Sequence, residues 1–360
     1  MTTRIKHLYL HVPFCRTICY YCDFCHRVYS EDLSQRWLER VREEIENNCF
    51  DQYETIYIGG GTPTALSNGQ LDSLLSYIDP YTKEVKEYTI EVNPESLDEE
   101  KIRIFKKHKI DRISMGIQSS NDKILQSINR RHTFKDVKEK IALLRSYGFD
   151  NISGDLMYSL PGQDMKILEQ TIDDILSLDL EHISLYSLTV EENSVFGKKG
   201  IMSLDEDIEA DMYELIERKL TENDYIHYEV SNYAKPGKES KHNLSYWNYE
   251  DFLGISLGAA SKIGNNRYTN TRDFGRYFSS EDIRDENLYL EKEDLEFEHI
   301  MMSLRTIYGL DINAFNKMYD CDLLSKYKEG VNDENIVVEN GHLICKNLEI
   351  LNHILLKFML

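Results

Sequence analysis

No stretch of the sequence approaches the roughly 20 consecutive apolar residues that a helix needs to cross a bilayer, and Met1–Tyr9 lacks the apolar core of a secretory leader. Proline is scarce, at 6 of 360 residues, and glycine stands at 18, which excludes collagen-like chains and Pro/Gly-rich disorder. Positive charge is the third deficit: 42 Lys and Arg face 63 Asp and Glu, a net charge of −21. So acidic a field disfavours nonspecific attachment to nucleic acid or anionic membranes, although local basic patches can persist inside it. The expectation is a cytoplasmic chain, not integral to a membrane and without a nucleic-acid partner.

What is present is bulk. Hydrophobic residues make up 41% of the chain, with 24 Tyr and 13 Phe, enough to bury a sizeable core. At this length one core seldom suffices, so two domains, or one large barrel with an appendage, are expected. Cysteine is few but uneven. Of seven, Cys15, Cys19, Cys22 and Cys25 fall within eleven residues, while Cys49, Cys321 and Cys345 are scattered. In a reducing compartment such crowding points to metal rather than disulfides.

Short β-rich runs alternate with segments of helical period as far as Val190. The runs are His7–Pro13, Glu54–Ile58, Tyr88–Val92, Arg112–Gln118, Ile152–Tyr158 and His182–Thr189. Between them lie Asp32–Glu46, Gly69–Ile78, Asp98–His108, Asp122–Ile128 with Phe134–Tyr147, and Met165–Leu178, with Ser30 and Asp164 placed as N-caps. This alternation predicts an α/β fold in which six parallel strands joined by crossover helices form a partial or open barrel. After Val190 a helical stretch, Asp205–Leu220, precedes a strand-like Ile226–Val230 and turn-rich sequence through Ser280. Glu281–Ile300 carries nine acids against two bases and reads as a solvated hinge or helix face. Beyond it, Leu295–Tyr308, Ile312–Tyr319 and an Asn340-Gly341 turn within Ile336–Ile344 suggest a small helical domain with a β-hairpin. The predicted units are a barrel core over 1–190, an extension over 191–290 and a C-terminal domain over 291–360.

The strongest chemical signal is Cys15-x-x-x-Cys19-x-x-Cys22, directly after the first strand. Short spacers let three thiolates from one loop reach three corners of a 4Fe–4S cube, leaving the fourth iron open to a small molecule. A zinc knuckle or plain buried thiols is the alternative, but zinc sites usually add a second, distant pair. Cys25 lacks a matching partner and reads, like Cys49, Cys321 and Cys345, as an ordinary thiol. Gly59, Gly60 and Gly61 at a strand's C-terminal end would let backbone approach a ligand closely, as at the ligand-binding face of α/β barrels. Glu91, Gln118 and Asp155 lie at or near other strand ends, where each is either a ligand contact or a satisfied structural group.

The segment Tyr9-Leu-His-Val-Pro-Phe-Cys15-Arg-Thr-Ile-Cys19-Tyr-Tyr-Cys22-Asp-Phe24 resembles the radical S-adenosylmethionine (SAM) proteins of the oxygen-independent coproporphyrinogen oxidase type. Gly59-Gly-Gly-Thr-Pro63, Glu91-Val-Asn-Pro-Glu95, Met115-Gly-Ile-Gln118, Asn129-Arg-Arg-His132 and Asp155-Leu-Met-Tyr-Ser-Leu-Pro-Gly162 follow in that family's order. The resemblance implies a (β/α)6 barrel and a 4Fe–4S cluster on Cys15, Cys19 and Cys22. It places Gly60, Gly61 and Thr62 near the methionine amino group of SAM. It sets Glu91, Gln118, Arg130 and Asp155 around the rest of SAM, with Tyr9, Tyr21, Thr189 and Ala260 lining the site. Reductive cleavage of SAM is the implied chemistry, with a flavodoxin- or ferredoxin-like electron donor.

Three features turn the resemblance toward the family's heme-chaperone branch. The oxidase branch has a fourth cysteine two residues after the third, where this chain has Phe24, and only fourteen residues precede Cys15. His242-Asn243-Leu-Ser-Tyr246-Trp247 is similar to a segment associated with heme binding, His242 as iron ligand and Tyr246 and Trp247 as flat apolar surface. His242 could equally belong to a packed turn at the barrel mouth. The implied protein binds heme and passes it to an acceptor such as a respiratory protein, as a monomer or dimer. Coproporphyrinogen oxidation is the alternative, and SAM-dependent methyl transfer or heme breakdown a third reading. Glu298–Arg305 and Gly309–Asp311 are similar to the family's small helical, winged-helix-like domain, read here as a lid or docking surface. Basic groups over Lys101–Arg112 and Lys123–Lys140 read as outer helix faces on which an acidic partner could dock.

Overall fold

The structure, a computed structural model, describes residues 4–50 and 52–359; Met1, Thr2 and Thr3 of the segment read for a leader lie outside them. Six strands form as the apolar runs predict: β1 (His7–Val12), β2 (Thr55–Gly60), β3 (Glu87–Val92), β4 (Arg112–Gln118), β5 (Ile152–Tyr158) and β6 (His182–Ser187). Each pairs in parallel with the next, and helices cross over between them. Leu8, Leu10, Ile56, Ile58, Ile90, Ile113, Met115 and Ile183 are fully buried on the outer face of these strands, in one large core. The opposite face, set by the two-residue period of a strand, looks into the barrel.

The crossover helices begin where capping chemistry dictates. Ser30 accepts from the Leu33 N–H at the start of Glu31–Asn48, and Asp164 from the Ile167 N–H at the start of Met165–Leu176. Ser67 and Thr133 make reciprocal capping boxes with Gln70 and Asp136.

The sheet continues past six strands in both directions. The strand-like run at Ile226–Val230 forms β7 (Ile226–Glu229), the segment expected to be turn-rich supplies β8 (Asn232–Ala234), β9 (Phe252–Ile255), β10 (Ala260–Ile263) and β11 (Asn266–Asn270), and the acidic stretch beyond it supplies β12 (Arg284–Tyr289). The order is β12-β11-β10-β9-β1-β2-β3-β4-β5-β6-β8-β7. Strand β9 runs parallel to β1 and so adds a seventh parallel strand; β8 and β10 turn antiparallel on either side. The order is linear, so the barrel is open. The acidic stretch expected as a hinge or helix face divides: Arg284–Tyr289 is the outermost strand, all six residues exposed, and Lys292–Ser303 is a helix. Charge on an edge strand discourages pairing with another chain.

A separate core gathers Ile300, Leu304, Phe315, Leu323, Leu343 and Phe358 from the C-terminal helices and a three-stranded antiparallel sheet. Its hairpin, Ile336–Glu339 with His342–Cys345, turns at Asn340 and Gly341, whose φ angles of 50° and 82° suit a two-residue hairpin loop. Among the described residues no helix is long and apolar enough to cross a membrane.

Candidate functional site

The loop from Cys15 to Val28 leaves the C-terminal end of β1 and is tied down along its length. The Tyr20 N–H donates to the Ile128 carbonyl at 3.1 Å, and the Phe196 N–H donates to the Tyr20 carbonyl at 2.9 Å. Asn129 Nδ2 holds the Ile18 carbonyl at 2.7 Å, and the rings of Tyr20 and Tyr21 pack on Ile124, Ile128, Met157, Leu160, Leu188 and Phe196. The loop returns as a two-stranded parallel bridge, Phe14–Cys15 against Arg27–Val28.

Cys15, Cys19 and Cys22 line one cavity of about 380 Å³ that runs from this loop into the barrel. Tyr21, Gly60, Gly61, Thr62, Glu91, Gln118, Arg130, Asp155 and Thr189 line it too, as does Asn243. The residues singled out from sequence thus converge, with exceptions. Tyr9 bonds through its hydroxyl to His11 Nδ1 at 3.0 Å and is not on the cavity wall, and Ala260 lies on β10, two strands beyond β1. Cys25 is buried away from the cavity, its Sγ facing the Arg272 carbonyl at 3.8 Å.

Two glycines are required here. A Cβ on Gly61 would stand 2.7 Å from the Phe14 carbonyl oxygen and 3.0 Å from Cys15 Sγ. Gly60, at φ +113°, presses on the His11 ring, which a Cβ would meet at 2.7 Å. Strand β2 therefore ends as bare backbone beside the cysteine loop. Three soft thiols beside a Gly-lined cradle fit a 4Fe–4S cluster with one open iron. Gln118, at φ +68°, sits at a register shift between β4 and β5, the kind of bulge that re-aims a side chain into a site.

Polar bonds link the loop to the strand ends. Arg130 bridges Asn93 Oδ1 (2.8 Å), the Gly116 carbonyl and Cys19 Sγ (3.6 Å), and Asn93 Nδ2 donates to Thr62 Oγ1 at 2.9 Å. Glu91 accepts from Tyr57 OH at 2.9 Å and from the Gly60 N–H at 3.0 Å. Burial first, and the nearby Asp155 carboxylate second, push the Glu91 carboxyl up to about 7. Burial also raises Asp155, against hydrogen bonds from Ser184 and Ser114.

Of the four residues read as a heme contact, His242, Tyr246 and Trp247 stand off the cavity wall. His242 is 1% exposed, on the helix Lys241–Trp247, with Nδ1 bonded to Thr55 Oγ1 at 2.7 Å and Nε2 to Tyr246 OH at 2.7 Å. With both nitrogens engaged it offers no lone pair to iron as folded here. Burial and the nearby His7 and Arg112 charges lower its pKa well below the ordinary value. The expectation that basic residues up to Arg112 mark an outer helix face is corrected as well: Arg112 opens β4, is 2% exposed and points into the cavity, and Lys101 is 6% exposed, paired with Asp98. Sequence reasoning also passed over Tyr57, Asn93, Ser114, Ser184 and Tyr186, which line the same cavity. For Tyr57, Ser114, Ser184 and Tyr186 the available signal was position, alternating inward along strands already identified, and for Asn93 it was a place in the Glu91–Glu95 motif just past the end of β3.

An open parallel barrel with a three-cysteine loop over its C-terminal end defines a radical SAM protein, and residues 9–175 match the Radical SAM superfamily. Membership of that superfamily implies a 4Fe–4S cluster and SAM. The chain is 36% identical to the heme chaperone HemW of Lactococcus lactis, covering 98% of this chain and 97% of that one. It is 38% identical to HemW of Bacillus subtilis (88% and 87% covered) and 32% identical to HemW of Escherichia coli (83% and 82%). Among solved structures, coproporphyrinogen III oxidase (HemN) of Escherichia coli superposes with a TM-score of 0.86 at 19% identity, over 99% of this chain and 90% of that one. The chain belongs to the HemW family within the radical SAM superfamily.

Proposed function

We propose that this chain is a heme chaperone: it binds heme and a SAM-ligated 4Fe–4S cluster, and transfers the heme to an acceptor protein. The observation that carries the reading is family membership over the whole length, at 97% of the Lactococcus relative. Phe24 agrees with it: this ring, 68% exposed on the rim of the cavity, stands where the oxidase branch has its fourth cysteine.

Cys15, Cys19 and Cys22 would hold the cluster. Gly60, Gly61 and Thr62 would face the amino group of SAM, with Glu91, Gln118, Arg130, Asp155, Tyr21 and Thr189 around the remainder. Bound SAM supplies capacity for one-electron cleavage chemistry. The chain's own residues fix the loop and set the Arg130 guanidinium against Cys19. Tyr9 and Ala260 stand off the wall that these residues form.

Titrating heme into anaerobically reconstituted protein should give a Soret band that saturates at stoichiometric heme. Absence of that band, or formation of protoporphyrinogen from coproporphyrinogen with reductant and SAM, would overturn the reading. His242→Ala is expected to keep the Soret band and to lower stability by about 1–3 kcal/mol, because it leaves Thr55 and Tyr246 without their buried partner. Chemical denaturation measures the loss, and a vanished Soret band in a folded variant would restore His242 as the iron ligand.

A further inference from the structure

The two-stranded bridge that carries Cys15 has two faces. Cys15 lines the cavity, while its neighbour Phe14 points the other way, as alternation along a strand requires. Phe14 is fully buried there against Trp37, Tyr29 and Phe274, at ring-centroid distances of 5.5, 6.4 and 6.0 Å. Phe278 continues the row, 6.0 Å from Phe274. Three guanidiniums lie over these rings: Arg16 over Tyr29 at 3.9 Å, Arg27 over Phe274 at 5.6 Å and Arg36 over Phe278 at 4.6 Å. All three arginines are exposed, as is Val28, the partner of Cys15 across the bridge.

A cluster of unpaired arginines is out of keeping with the rest of the chain. Acids outnumber bases by 63 to 42, and Arg42, Arg103, Arg145, Arg218 and Arg267 each reach a carboxylate at 2.5 to 3.6 Å. Among the described residues no carboxylate lies within ion-pair distance of Arg16, Arg27 or Arg36. The nearby acids are committed elsewhere. Glu31 accepts from the Tyr29 hydroxyl and from Gln70 Nε2 at 3.3 Å. Asp23 faces Arg272 at 3.8 Å, and Asp273 caps the helix Phe274–Ser279 by accepting from the Arg276 N–H at 2.7 Å. Stacking on the rings already restrains the three guanidiniums, so they lose little freedom when an anion engages them.

We infer that this face, on the reverse of the cysteine loop, is the docking surface for an acidic one-electron donor protein. The inference rests on the reading of Cys15, Cys19 and Cys22 as cluster ligands. A cluster held there takes its electron from outside the chain, because Cys49, Cys321 and Cys345 are scattered and gather into no second centre. The bridge is one strand spacing wide, about 4.8 Å, between Cys15 and the exposed Val28, so a partner seated on the arginines stands directly behind the thiols. One electron passes from the donor, which is oxidised, to the cluster, which is reduced, and no bond to this chain forms or breaks. Carboxylates on the donor meet Arg16, Arg27 and Arg36, and the local positive field steers an acidic partner to this face of a chain whose net charge of −21 repels it elsewhere.

The experiment titrates a purified flavodoxin, an acidic one-electron carrier, into the full chain by calorimetry at increasing salt, with and without the reconstituted cluster. Wild type should bind it in both states, since the loop is tied down by the chain's own bonds, and should bind more weakly as salt rises. The double variant Arg27→Glu, Arg36→Glu should bind roughly tenfold or more weakly, with a flatter salt dependence. It should keep its iron and its Soret band with heme. Lys106→Glu with Lys138→Glu, on the crossover helices Glu99–Lys107 and Phe134–Ser146, should bind as wild type does. No binding by wild type, equal affinity in the arginine variant, or a loss in the lysine variant instead would overturn the inference. An arginine variant that keeps the flavodoxin but loses heme would overturn it too, assigning the guanidiniums to the heme carboxylates. Wild type that retains no iron would remove the cluster reading, and titration of the cluster-free chain would still decide the docking surface. Should the arginine variant fail to fold, hydrogen exchange on wild type decides: flavodoxin should protect residues 15–29 and 274–279, and protection confined to other segments would overturn the inference.

Discussion

Alanine at Cys15, Cys19 or Cys22 should each abolish the visible iron–sulfur absorption and nearly all bound iron, while Cys25→Ala should retain both. The three thiols open onto one cavity, and each would supply one corner of the cluster. No other cysteine can substitute. Cys25 is buried toward Arg272 and Gly258, whose Cβ position lies 2.8 Å from the Cys25 Cβ, and Cys49, Cys321 and Cys345 lie in other parts of the fold. Burial pushes the Cys15 thiol up to about 12 and the Cys22 thiol up to about 11. Thiolate ligation there has to be driven by the metal's own charge, so a site with two sulfurs retains little iron. The fold should survive each substitution, since the loop is held by Ile128, Asn129 and Phe196 through backbone and amide bonds. Iron analysis and the absorption spectrum after anaerobic reconstitution decide it. Equal loss in Cys25→Ala and Cys22→Ala would contradict this assignment.

The parallel strands were legible because they are buried on both sides. Such strands read as short apolar runs with polar residues only where they face the cavity, as Arg112-Ile-Ser-Met-Gly-Ile-Gln118 does. Helix starts were legible through Ser30 and Asp164, whose side chains do cap. Farther along, the helix Glu206–Thr221, the strand Ile226–Glu229 and the hairpin at Asn340 and Gly341 were legible too, but the strands between Asn232 and Asn270 were not. Strand β9 is four residues long and pairs with β1 across about 245 positions of sequence, Leu8 with Leu253, and nothing local to Phe252–Ile255 announces that partner. The cysteine loop and the strand-end motifs were visible as motifs because their residues are close in sequence. Arg112 was misread for the opposite reason: it follows a run of lysines on a helix, and charge alone suggests a surface. Only the strand period, which places Arg112 with Ser114, Gly116 and Gln118, says otherwise. His242 shows the limit of a motif without geometry, since its neighbours Thr55 and Tyr246 saturate the ring.

Glu91→Gln should raise the melting temperature at pH 8, change it little at pH 5, and weaken SAM binding at both. In the unfolded chain this carboxyl titrates near 4.5, and burial with the Asp155 charge lifts it to about 7 in the folded chain. The folded state therefore holds the extra proton between those values. Its contribution is fully present below about 4.5 and is lost as pH rises through about 7. A shift of this size corresponds to roughly 3 kcal/mol at most, at about 1.4 kcal/mol per pH unit. Glutamine is neutral throughout and escapes that loss. It keeps one oxygen to accept from Tyr57 or Gly60 and forfeits the other acceptor, a cost of about 1 kcal/mol that does not vary with pH. The two effects offset at low pH, and the first prevails above 7. Thermal unfolding of wild type and variant without SAM, stepped from pH 5 to pH 8, should show wild type losing stability across that range faster than Glu91→Gln. Parallel curves would mean that Glu91 titrates normally. In that case its carboxylate is already charged beside Asp155 at neutral pH, and the burial that Gly59 and Gly60 permit is not what sets its protonation.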